Sequence, residues 1–66
     1  MKPLTLGDIF VDHFSSTYKI KKIDLVKQQV EYCFYPSRVE IRYHSKYTSL
    51  KDFEYTIKIG KIWLLN

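Results

Sequence analysis

The sequence predicts an all-β fold: a small barrel or a strongly bent antiparallel sheet, with one short helical turn near residues 49–53. Three observations point there. β-branched and aromatic residues dominate a chain of 66 residues, 17% of it Phe, Trp or Tyr, and such residues favour a pleated, half-buried surface. Runs of alternating apolar and polar residues recur at short intervals. There are only two Gly and two Pro, and no low-complexity stretch, linker or repeat.

"GDIFVD" follows the turn-capable Gly7 and reads as a first strand, Ile9 and Val11 on one face and Phe10 on the other. "TYKIKKIDLV" opens with Tyr18 and Ile20 facing one way and Lys19 and Lys21 the other. Ile23 is out of phase with Ile20, which predicts a bulge or bend near Lys21–Lys22. "KQQ" is a polar turn. "VEYCFY" sets Val30, Tyr32 and Phe34 against Glu31, Cys33 and Tyr35. Pro36 and Ser37 mark the next turn, since proline has no amide proton for a central ladder. "RVEIRYH" places Val39, Ile41 and Tyr43 opposite Arg38, Glu40, Arg42 and His44.

In "SLKDF" the period changes. Ser49 can cap a helical turn, and Leu50 and Phe53 stand three apart, able to share a buried face. Asp52 completes a shortened capping box, and one turn, 3₁₀ in form, is expected. "EYTIKIGKIWLL" then reads as the closing strand, Tyr55, Ile57 and Ile59 against Thr56 and Lys58, with a bulge or kink at Gly60. The core expected from these faces is Ile9, Val11, Tyr18, Ile20, Val30, Tyr32, Phe34, Val39, Ile41, Leu50, Phe53, Ile57 and Ile59. Ile62, Trp63, Leu64 and Leu65 are then surplus to a minimal closed fold: they either cap an open barrel end as part of the core or form a tail for self-association, as a homodimer, or for docking, the second being preferred.

A helical turn just before the last strand is the arrangement of an SH3-like barrel. The spacing "GDIFVD…YKIKKID…VEYCFY…SLKDF" resembles small phage- and prophage-encoded SH3-like proteins, with an opening G-D-x-F/Y strand, a Y-x-I strand and a closing S-L-x-x-F turn. The resemblance covers about residues 6–53. It implies a small accessory protein or inhibitor that occupies a host target, such as a nucleic-acid-handling or defence complex. It carries over no functional residue.

The length implies one domain, residues 1–66. A domain this small buries only about 60% of the surface its unfolded chain exposes. The single cysteine, Cys33, excludes an intramolecular disulfide and suits a reducing, cytoplasmic setting. No apolar run approaches the roughly 20 residues of a membrane span, and the N-terminus lacks the pattern of a signal peptide, so no membrane partner is expected. Eleven Lys and Arg against seven Asp and Glu give a net charge of +4, which favours acidic partners.

Candidate chemistry is sparse. Cys33 and His44 suggest a thiolate–imidazole pair, but no local motif surrounds them, and free cysteine in a strand is normally packed and inert. Asp8, Asp12 and His13 are metal-ligating types, yet Asp8 and Asp12 lie roughly 13 Å apart on an extended strand. No phosphate-cradling glycine loop, His-x-x-x-His or Cys-x-x-Cys occurs. An enzyme is not expected, nor is a cofactor or metal.

Two surfaces remain as binding candidates. Lys19, Lys21, Arg38, Arg42 and Lys46, beside Tyr35 and Tyr47, form a basic and aromatic set suited to single-stranded nucleic acid. Glu31, Glu40 and Glu54 intersperse these charges, so a solvated strand face is the plainer account. Tyr32, Tyr35, Tyr43, Tyr47 and Tyr55 are also the residue type enriched at protein interfaces, or they fill a small core and its rim. The first function expected is therefore a binding protein with a protein partner, the second a direct nucleic-acid-binding module.

Overall fold

Two aspartates build the turns that set the register of the sheet. Asp12 Oδ1 accepts the backbone N–H groups of Phe14 and Ser16 at 2.9 and 3.0 Å. Asp24 Oδ1 accepts those of Val26 and Lys27, both at 3.0 Å. Carboxylates that bind amides two to four residues on hold the chain in tight reversals. Ser15 and Gln28 take the left-handed conformation these turns need, at φ 65° and 54°.

The computed structural model describes residues 4–36 and 44–65. Its elements are β1 (Ile9–Asp12), β2 (Thr17–Asp24), β3 (Gln29–Tyr35), β4 (His44–Ser49), α1 (Leu50–Lys58) and β5 (Ile62–Leu64). The strands form one antiparallel sheet in the order β4-β3-β2-β1-β5, with α1 packed on one face. The fold is mostly β. The sheet is open, with β4 and β5 as its edges, and the expected barrel or strong bend is not formed.

The expected bulge is present: the β2–β3 register shifts between Ile20 and Lys22. It returns Ile23 to the face of Ile20, opposite Val30. The core consists of Phe10, Ile20, Val30, Phe53 and Ile62, flanked by Leu4, Tyr18, Ile23, Tyr32, Leu50, Ile57 and Leu64. Phe10 and Phe53 meet edge to face at 5.5 Å, and Tyr32 lies 5.5 Å from Phe53. Phe10, not Ile9 and Val11, is therefore the buried side of β1. A four-residue strand alternates equally well either way, and the larger ring takes the buried side.

The segment after Ser49 corrects the expected closing strand. Residues 50–58 form a helix. Ser49 caps it as expected, its hydroxyl accepting Asp52 N–H at 3.0 Å. At the far end Gly60, at φ 80°, donates to Ile57 O at 3.0 Å, and Lys61 donates to Thr56 O at 3.1 Å. This is a Schellman cap with glycine in its left-handed position. Gly60 ends a helix; it does not bend a strand. Leu50, Phe53 and Ile57 have the helical spacing that brings one stripe onto the sheet. Ile59 and Tyr55 are left exposed.

The tail is the fifth strand. Ile62 is 3% exposed and belongs to the core, with Leu64 packed beside it. Trp63, opposite Val11, takes the other face. The expected strand over 38–44 lies outside the described residues but for His44, which opens β4.

Candidate interaction surface

Strand alternation divides the sheet into a face covered by α1 and a face that no described element covers. On the uncovered face the register aligns side chains in rows across the strands. One row runs Trp63, Val11, Thr17, Tyr35. The next runs Leu65, Ile9, Lys19, Cys33, Ser45, its first step marked by Leu65 N–H donating to Ile9 O at 2.8 Å. A third runs Lys22, Glu31, Tyr47. Trp63 is 43% exposed and Tyr47 62%. Apolar and aromatic groups thus spread over the surface with Lys19 near its middle.

Cys33 is buried even here, below a shallow hollow lined by Lys19, Lys21 and Tyr35. It cannot meet His44. Cys33 opposes Ser45 while His44 opposes Phe34, so the two side chains leave opposite faces. Asp8 is buried, its carboxylate accepting Thr5 N–H at 3.0 Å. Among the described residues no three His, Cys, Asp or Glu side chains gather as a metal site.

Among the described residues, the sequence-predicted basic set divides between the two faces of the sheet. Lys19 stands on the uncovered face with Tyr35 and Tyr47. Lys21, at the bulge, pairs with Glu31 at 3.4 Å, so part of its charge is offset. Lys46 lies on the opposite face, its ammonium 5.0 Å from the Phe34 ring centroid. Arg38 and Arg42 lie outside the described residues. The four tail residues divide as well: Ile62 and Leu64 turn into the core, Trp63 and Leu65 outward.

Ile9 and Val11 join the uncovered surface although sequence reasoning placed them inside. The size of Phe10 between them was the available signal. At the end of this face, the His13 ring meets Trp63 edge to face at 4.9 Å, and His13 Nε2 lies 3.2 Å from Gly60 O. The first hairpin is thereby tied to the end of α1. Compared with protein-family models, with curated proteins and with solved structures, the chain matches none.

Proposed function

We propose that the protein is a small binding module that docks a partner protein through the uncovered face of its sheet. The observation that carries this reading is the exposure of Trp63, Tyr47, Tyr35 and Leu65 on one surface, with Ile9 and Val11 between the strands' ends. Tyr and Trp offer large rigid contact area with a polar tip, and interfaces are enriched in both. Lys19 inside this surface suits a partner that presents a carboxylate among apolar groups.

The connectivity supports a kinship with SH3-like accessory proteins. Four strands meander, the helical element precedes the last strand, and that strand returns beside the first. On this reading the chain is an opened version of that plan, and the accessory or inhibitory role against a host complex comes with it. Direct nucleic-acid binding has less support, because Lys19 and Lys46 occupy opposite faces.

A photo-crosslinking amino acid placed at Tyr47 tests the reading against one placed at Lys51, on the exposed side of α1. Irradiation in a lysate of the native cells should give one discrete protein adduct from position 47 and none from 51. Adducts from 51 alone, or a nuclease-sensitive adduct at 47, would overturn it.

A further inference from the structure

On the helix side of the sheet, at the end holding the first hairpin, lies a half-open hollow of about 410 Å³. Asp12, His13, Phe14 and Tyr18 line it from the hairpin, Thr56 and Lys61 from the end of α1. A largely apolar hollow with a few convergent polar groups is the usual form of a small-molecule site.

Its fixed groups decide what it accepts. Asp12 is anchored: Oδ1 accepts the Phe14 and Ser16 amides, and Oδ2 accepts the Tyr18 hydroxyl at 2.7 Å. A carboxylate so held keeps its charge and position. Thr56, in the last turn of α1, borders the same hollow. Aromatic rings with negative faces complete the wall: Tyr18, part-buried, and Phe14, 80% exposed at the turn tip. Lys61 and His13 are exposed. The aliphatic stem of a lysine can line a wall while its ammonium stays in water. The groups held in place are thus the Asp12 carboxylate and the Tyr18 ring, while Phe14, His13 and Lys61 are exposed lining residues.

We propose that this hollow binds a small organic cation, a quaternary ammonium or guanidinium group. Asp12 supplies the counter-charge, and the rings of Phe14 and Tyr18 lie against the cation's apolar surface. The hollow meets the docking surface at His13, whose ring touches Trp63, but its test reads ligand shifts at Phe14 and Tyr18 and does not depend on a protein partner.

The test is an NMR titration with choline, followed at Phe14 and Tyr18, with 3,3-dimethylbutan-1-ol as the neutral isostere and sodium chloride as the salt control. Choline should give saturable shifts at both rings, and the neutral isostere should bind about tenfold more weakly, the scale of a cation–π contact. Asp12→Asn retains an acceptor for the two turn amides and removes the charge; it should weaken choline to the level of the isostere. Phe14→Ala changes an exposed side chain and should weaken choline while leaving the fold's dispersed spectrum intact. Shifts with choline no greater than with sodium chloride, equal binding of the isostere, or tighter binding of benzoate would each overturn the proposal.

Discussion

Asp12 and Tyr18 face each other across the first hairpin, the phenol donating to the carboxylate at 2.7 Å. Partial burial works to raise the Asp12 pKa, but the hydrogen bonds from Tyr18, Ser16 and Phe14 outweigh it, and the carboxyl sits below its ordinary value. Burial first, and then the bond to Asp12, push the Tyr18 phenol well above the usual range.

These shifts give stability a defined pH dependence. A depressed carboxyl stabilises the fold fully above the unfolded value of about 3.9, and this is lost as pH falls through the lower folded value. A raised phenol contributes fully below about pH 10, and that contribution fades at higher pH. Tyr18→Phe removes the donor and should cost about 1–2 kcal/mol at neutral pH. Urea unfolding should show this gap narrowing in acid, and the Asp12 carboxyl of the variant should titrate higher by NMR.

Gly60 permits a second test. A Cβ added there meets nothing within 4 Å, so the cost of substitution is conformational alone. Gly60→Ala places an L-residue at φ 80° and should destabilise by about 1–2 kcal/mol. Gly60→Asn, which tolerates the left-handed region, should cost less. If residue 60 instead sat in an extended strand, Ala would be neutral or stabilising.

The face of β1 can be read from a pair of truncations. Phe10 is buried against Phe53, so Phe10→Ala should cost about 3–5 kcal/mol. Val11→Ala, on the other face, should cost about 0.5–1 kcal/mol. A chain of this size has a total stability of roughly 3–10 kcal/mol, so the first variant should lose a large share of it and unfold at a much lower urea concentration than the second, followed by circular dichroism.

The meander of β1, β2 and β3 was legible because its signals were redundant. Alternation and the phase slip at Ile23 agreed in β2 and β3, and the bulge followed from the slip; in β1 alternation located the strand but not its buried face. The helix was not, because residues 50–59 satisfy two periods at once. Tyr55, Ile57 and Ile59 alternate as in a strand, while Leu50, Phe53 and Ile57 repeat as in a helix. Ser49 and Gly60, cap and stop eleven residues apart, were the deciding pair, and each is ambiguous when taken alone. Once the helix is in place, "IWL" becomes the strand that pairs with β1, and its alternation sends Trp63 outward. The placement of Lys46 was hidden for a related reason: it falls on the face of Phe34, away from Lys19, only through the β3–β4 register, which no local pattern specifies.

Trp63 tests the central claim, an uncovered sheet face available for docking, most directly. It is the chain's one tryptophan, and it lies on that face at 43% exposure. Acrylamide quenching of its fluorescence, on protein shown to be monomeric by sedimentation, should find an accessible indole with red-shifted emission. A monomer whose Trp63 is fully shielded from acrylamide would contradict the account.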